Sequence, residues 1–450
     1  MNFINEKFLP FAEKLAANKF LRAVSTGFMM LMPVIIIGSM FSLFNSLAIP
    51  SYQAFLVESG LKRFLAIPNM VTNDILALYA VFFISYTMAG ELEKDSAVSG
   101  MLALMTFLAI TPITTTGKLV GSFLNGNKIA LPQGVSLPGG NVIPYEFIGA
   151  KGLFVAIIVG LATAVIYSKV LDKGIMIKMP DSVPPTVSKS FAGLLPGFVI
   201  IIIFLALDFI IGSIGFQGST GIHTFVYKLV QAPLEVFLGA NIFSFLFAIF
   251  LAQVLWFFGL HGVNAVLIPI FFPLWTSLTT ANLEALNAGV SVYDLPNIIG
   301  RPFFSVYASA GGSGVTLGLC IYMAFLARSK QLKTLGKLAL PAGVAAINEP
   351  LIFGLPIVLN PYLAVPFIAA PLVTSAIGYA LTVIGFLPKL STLIPLGTPI
   401  LMSGFLASPV GGLKVAAVQI LLVVVSGLIY LPFIRVVDKQ ALALELEEAE

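Results

Sequence analysis

Residues 191–214 read FAGLLPGFVIIIIFLALDFIIGSI, 24 positions with a single charged side chain, Asp208. A helix of that length rises about 36 Å, enough to cross the roughly 30 Å hydrocarbon core of a bilayer. The same kind of run recurs at 24–48, 73–90, 97–115, 152–172 and 238–259, separated by polar breaks. Composition agrees: 58% of the 450 residues are hydrophobic and 10% charged, against roughly a quarter charged in a soluble domain. Such a chain cannot cover itself with polar surface in water.

Basic residues set the orientation. Lys14, Lys19 and Arg22 precede the first span, and Lys169, Lys173, Lys178 and Lys189 follow the fourth, so both places read as cytoplasmic. Lys62, Arg63, Lys118 and Lys128 fall on the outer side, so the bias is incomplete. Phe8, Phe11 and Leu15, with Lys7, Lys14 and Lys19 between them, suggest an amphipathic segment at the membrane surface. The following apolar run is too long for a signal-peptide core, and the mature chain is expected to keep this end. Residues 116–151, rich in Gly and Pro, read as turns and a short hairpin outside; residues 173–190, with Pro180, Pro184 and Pro185, read as a cytoplasmic loop.

Beyond residue 260 the stretches 264–281, 338–359 and 392–408 are short or interrupted by Pro and Gly. Arg328, Lys330, Lys333 and Lys337 ask for the cytoplasm, which crossings at 264–281 and 303–327 satisfy. Spans at 361–385 and 412–434 then return the chain to Arg435 and Lys439 inside, if 338–359 and 392–408 are re-entrant. The expected fold is an all-α polytopic membrane protein of about ten transmembrane helices, two re-entrant hairpins and interfacial amphipathic helices, multi-pass with both termini cytoplasmic. Re-entrant backbone is tolerated only where protein or a water-filled cavity satisfies its polar groups, which points to a site in the second half.

Several chemistries fit poorly. Cys320 is the single cysteine and there are two histidines, so neither a disulfide nor a tetrahedral metal site is expected. The net charge of +4 is no sign of nucleic-acid binding, and no motif asks for a cofactor.

Asn348-Glu349-Pro350 lies inside the apolar 338–359 stretch. A carboxylate at membrane depth costs several kcal/mol unless paired or hydrated, so Glu349 is either a functional group or half of a packing pair. Pro350 cannot donate a backbone hydrogen bond and is read as interrupting a helix there, exposing side chains to a cavity. His261, after Trp256-Phe257-Phe258-Gly259-Leu260, is either an acid-base and hydrogen-bonding group suited to a hydroxyl or a hydrogen-bonded core residue. Gly311-Gly312-Ser313-Gly314 lacks the Gly-Lys-Ser/Thr of a nucleotide loop; it either opens a helix for a ligand or lets helices approach closely. Arg301 anchors at the interface or faces the cavity. Asp208 and Glu235 carry weaker signals, and His223, in a polar loop, reads as exposed. Trp256 and Trp275 suit ring stacking or interfacial anchoring.

Across most of the chain, in order, the sequence resembles the membrane-embedded IIC subunits of the lactose, cellobiose and diacetylchitobiose branch of the phosphoenolpyruvate-dependent sugar phosphotransferase system. The matching stretches are residues 177–185 (IKMPDSVPP) with Ser188-Lys189-Ser190-Phe191, then Trp256 to Gly262, Gly311 to Gly314, and residues 347–356 (INEPLIFGLP). The resemblance implies a disaccharide permease of the bacterial cytoplasmic membrane, homodimeric in the lipid bilayer. Residues 1–235 would form the interface domain and residues 236–450 the transport domain. It places substrate contacts on His261 and Glu349, with Asn348, Gly312, Ser313, Trp256 and Arg301 as further candidates. A separate phosphorylated cytoplasmic IIB protein would pass phosphate from a cysteine to the sugar, so no phosphoryl-carrying residue is expected in this chain. The residues alone leave two alternatives open: a proton-coupled secondary sugar carrier using Glu349 or Asp208, and a membrane-embedded hydrolase or transferase with Glu349 and His261 as an acid-base pair.

Overall fold

In the computed structural model the described residues are 14, 17–46, 49–115, 140–180, 182–355, 357, 360–395 and 397–447. Lys7, Phe8, Phe11 and Leu15 of the expected surface helix, and residues 116–139 of the Gly-rich stretch, lie outside them.

Seven helices among the described residues are long and apolar enough to cross a membrane, and the pair Ile222–Gly239 and Ile242–Phe257, bent by 84°, raises the number to eight if counted as one span. Ser96–Ile110 and Leu317–Leu326 are apolar but shorter. The β pairing among these residues is a two-residue antiparallel ladder, Thr114 opposite Val142 and Thr115 opposite Asn141. An apolar chain in lipid must satisfy its backbone within itself, and helices do so segment by segment.

The chain folds into two compact units, residues 73–232 and residues 1–72 together with 233–450. In the first, Leu76–Glu91, Ser96–Ile110 and Leu153–Asp172 pack through small residues. A Cβ on Gly160 would stand 3.0 Å from the Val81 carbonyl, and the Ser85 and Ser99 hydroxyls meet at 2.9 Å. Lipid tails are as apolar as Leu, so close backbone approach and hydrogen bonds replace the hydrophobic effect as helix glue. Asp95 caps Ser96–Ile110 through the Val98 N–H at 3.0 Å, and Gly215 in the left-handed region ends Leu194–Ile214. Ion pairs Lys94–Asp172 at 2.6 Å and Lys189–Asp95 at 3.3 Å gather at one end.

The second unit holds the interrupted helices. The expected crossing at 303–327 is two pieces: a short turn of helix Arg301–Phe303 continuing to Ala308, and Leu317–Leu326, with irregular backbone between. The 338–359 stretch is likewise two helices, Lys330–Val344 and Glu349–Gly354. Behind them runs Gly412–Glu447, 36 residues without a break. At about 54 Å it outreaches the hydrocarbon core. Its buried face carries Gln419, Ser426, Tyr430, Ile434 and Asp438, while Leu413 and Leu428 are exposed. Leu319, Met323, Leu351, Phe367 and Tyr430 share one core cluster, and Cys320 is buried there as a packing residue.

Candidate functional site

Two helices stop in the same way to make this site. At the end of Lys330–Val344, Ala346 takes φ 56°, the Ile347 N–H bonds the Ala342 carbonyl at 2.9 Å and the Ala346 N–H bonds Gly343 at 3.0 Å. This is the Schellman pattern, usually built on Gly, so Ala346 carries backbone strain of about 1–3 kcal/mol. At the end of Ile242–Phe257 the pattern repeats on Gly259 (φ 83°), with Leu260 to Leu255 at 3.0 Å and Gly259 to Trp256 at 2.9 Å. Each stop throws the chain sharply aside, and the next residues are Asn348 and Glu349 in one case and His261 in the other. Pro350 stands in the first turn of Glu349–Gly354, where a missing N–H costs little. It therefore opens a helix, and the interruption expected at Pro350 lies before it.

The stretch 309–316 is held open by the carbonyl partners it finds. Gly311, Gly312 and Gly314 have φ of 83°, 93° and 78°, a conformation in which side chains are strained. Each carbonyl from Gly311 to Val315 is nonetheless taken: Gly311 by the Thr316 hydroxyl, Gly312 by the Val315 N–H, Ser313 by Asn348 Nδ2, Gly314 by the Tyr430 hydroxyl and Val315 by the Ser426 hydroxyl. Irregular backbone survives at membrane depth on these terms. Asn348, 4% exposed, also donates to Thr316 Oγ1 at 3.0 Å. Both of its amide hydrogens are thus used in bolting the Glu349 turn to the glycine loop.

His261 and Glu349 face one another across a cavity of ≈ 260 Å³. The Asn264 N–H donates to His261 Nδ1 at 3.2 Å; the neutral ring therefore carries its proton on Nε2. That nitrogen is 3.9 Å from Glu349 Oε1, with the two side chains 38% and 44% exposed. The gap is too long for a direct hydrogen bond and leaves room for a bridging group. The lining adds the hydroxyls of Ser305, Ser309, Ser313, Thr398 and Ser403, with no Lys or Arg among them. No group of three His, Cys, Asp or Glu that could hold a metal occurs among the described residues.

Of the residues singled out in the sequence, His261, Glu349, Asn348 and Ser313 meet at this cavity; Trp256, Gly312 and Arg301 do not line it. Trp256 is buried and packs its ring 4.4 Å from the His261 ring, fixing the imidazole. Gly312 backs the loop, where a Cβ would run into the Asn348 side chain. Arg301 is 4% exposed, its guanidinium 4.4 Å over the Phe272 ring and 3.6 Å from Met32 Sδ. It is neither a water-facing anchor nor a cavity residue, because an aromatic face and a sulfur receive it. Ser305, Ser309, Thr398 and Ser403 escaped the sequence reading: a hydroxyl in an apolar run can bond its own helix, so it gives no sign of where it points. His223, read as exposed, is 1% exposed. The Phe107 ring lies 4.9 Å from it and the Thr111 hydroxyl 3.1 Å from Nε2, so a helix start and aromatic packing replace the loop. Asp208 accepts the Ile222 N–H at 2.7 Å, which ties its span to that same helix start.

Comparison with known proteins gives a consistent answer. The family model described as "Phosphotransferase system, EIIC" matches residues 25–371. The lichenan permease IIC component of Bacillus subtilis (strain 168) is 37% identical over 452 residues, 98% of this chain and 95% of that protein. The cellobiose-specific EIIC component of Geobacillus stearothermophilus is 36% identical over 450 residues, 99% of this chain and 96% of that protein. The crystal structure of ChbC, the IIC component of the N,N'-diacetylchitobiose-specific phosphotransferase system, is 36% identical and superposes with a TM-score of 0.88 over 98% of this chain and 99% of that one.

Proposed function

This chain belongs to the phosphotransferase-system EIIC family, a membrane permease component for sugar, and we propose that it holds a disaccharide of the cellobiose, diacetylchitobiose or lactose class between His261 and Glu349. The observation that carries this reading is the lining of the cavity: five hydroxyl-bearing residues, two asparagines, one imidazole and one carboxylate, with no Lys or Arg. Such a surface suits a neutral, hydroxyl-rich ligand. An anion would meet the Glu349 charge with no cation to offset it.

The 3.9 Å gap fits one sugar hydroxyl that accepts from His261 Nε2–H and donates to the Glu349 carboxylate. Donation to an ionised acceptor is the stronger of the two bonds. In this tautomer Glu349 is the group placed to take the hydroxyl proton, and His261 orients the oxygen. The oxygen then attacks phosphorus carried on a cysteine of a cytoplasmic IIB protein; the new O–P bond forms as the S–P bond breaks, and the cysteine leaves as thiolate. Once Glu349 has passed that proton to solvent it is again a carboxylate and repels the dianionic product, which favours release. Catalysis is mainly positioning, since the donor supplies the reactive group.

The rest of the reading follows the family. The chain is a homodimer in the bacterial cytoplasmic membrane, with ten crossings, both termini inside and the 173–190 loop cytoplasmic. Residues 1–235 form the dimer interface and residues 236–450 the transport domain, although residues 1–72 pack in one compact unit with 233–450. The test is Glu349→Gln in the purified protein. Calorimetry with cellobiose, lactose and diacetylchitobiose is expected to show binding lost or weakened at least about tenfold in a protein with unchanged helicity; binding as tight as the parent's would make Glu349 structural and remove the site.

A further inference from the structure

Of the five segments that line the cavity, three, and the root of a fourth, hang from one helix that does not itself reach it. Gln419 of Gly412–Glu447 accepts the N–H groups of Leu401 and Gly404, both at 3.0 Å, through Oε1. Its Nε2 donates to the Val306 carbonyl at 3.2 Å and to Ser403 Oγ at 3.0 Å. Seven and eleven residues on, Ser426 and Tyr430 take the Val315 and Gly314 carbonyls. Asp438, two further turns along, accepts the N–H groups of Arg328 and Ser329 at 3.0 and 2.9 Å. Glu445 accepts those of Lys330 and Gln331 at 3.0 and 2.8 Å and the Ser329 hydroxyl at 2.6 Å. These last two carboxylates occupy the N-terminal amides of Lys330–Val344, where negative charge is favoured, and the turn that ends that helix leads to Asn348 and Glu349.

We propose that Gln419, Tyr430 and the Asp438–Glu445 pair are positioning residues of the sugar site, and that the last helix is the ruler setting the separation of Glu349 from the hydroxyl-bearing segments. The inference rests on the sugar reading of the cavity. Its physical basis is that segments 309–316 and 397–401, between the short helices Phe304–Ala308, Leu317–Ile321 and Met402–Leu406, lack the internal ladder of a helix, so their place is fixed by whatever takes their backbone groups. One unbroken helix takes them at both ends of the site. Affinity for a ligand held by many hydroxyl contacts falls steeply when its partners drift, because the supporting residues hold the geometry.

The test uses the full-length protein in nanodiscs with cellobiose, lactose and diacetylchitobiose as probes. Tyr430→Phe removes one hydroxyl and keeps the ring; Asp438→Asn with Glu445→Gln removes charge and keeps shape. Each is expected to raise the Kd of the tightest-binding probe five- to twentyfold. Amide exchange should quicken at residues 311–316 in the first and 328–332 in the second. Leu428→Ala, on the exposed face of the same helix, should leave Kd unchanged. A lower melting temperature with an unchanged Kd in the folded protein would make these residues merely structural and overturn the proposal. Should Tyr430→Phe fail to fold, Ser426→Ala is read by the same two outcomes. Glu349→Gln is measured alongside: if it keeps full binding, the cavity reading fails and this inference with it, whereas loss in Glu349→Gln with no change in Tyr430→Phe defeats the positioning role alone.

Discussion

His261 and Glu349 are the two titratable groups that line the cavity, and their roles separate by hydrogen-bond direction. The Asn264 N–H fixes His261 as a donor through Nε2, which leaves the carboxylate as acceptor. His261→Ala is therefore expected to lower the rate of sugar-phosphate formation more than it weakens binding: about a hundredfold in rate, the low end for a lost acid-base or orienting group, against less than tenfold in Kd. His261→Gln, which keeps an N–H donor, should recover part of the rate. Calorimetry and phosphotransfer assays separate the two losses, and equal losses would reduce His261 to a binding contact. At this scale the sequence was readable where a group is expensive. A carboxylate or an imidazole inside an apolar run needs a reason, so both stood out. Asn348 stood out too, yet it serves as a bolt to Ser313 and Thr316, a distinction that needs the fold. Arg301 lies outside the cavity lining, on Phe272 and Met32, and residue spacing gives no sign that these two can receive a guanidinium.

Breaks between helices, more than the helices, create the site. Gly312 and Gly60 both have positive φ, but a Cβ on Gly60 would meet nothing within 4 Å, whereas one on Gly312 would collide with Asn348. Gly60→Ala is expected to cost about 1 kcal/mol of stability from left-handed backbone alone and to leave sugar affinity intact. Gly312→Ala should lose binding as well, because the bolt must move. Thermal unfolding with binding on both variants checks this; normal affinity in Gly312→Ala would mean the loop does not set the site. The Gly and Pro of 338–359 announced an interruption in the sequence, whereas the glycines of 311–314 left helix opening and close packing both open. The form of the breaks was hidden. The stop before Asn348 rests on Ala346, which no turn rule marks, and Pro350 begins a helix although a proline in an apolar run reads as breaking one. The bend of 84° between Ile222–Gly239 and Ile242–Phe257 was likewise illegible, because its first arm is interrupted by polar residues and carries His223 into the interior.

For the molecule as a whole, membrane residence was the most legible property, being a sum over 450 residues of which 58% are hydrophobic. The compact units were the least legible. Residues 1–72 pack with 233–450, and no local pattern joins segments so far apart in sequence. Family membership makes the chain a phosphotransferase permease component, and the cavity between His261 and Glu349 is the place proposed for its sugar. The most direct measurement uses sealed vesicles, oriented as in the cell and loaded with the soluble phosphotransferase proteins, with labelled cellobiose outside. The expected result is labelled sugar phosphate inside when phosphoenolpyruvate is present, none without it, and none with Glu349→Gln. Uptake of free sugar driven by a pH gradient alone, or sugar phosphate formed at the parent's rate by Glu349→Gln, would contradict the account.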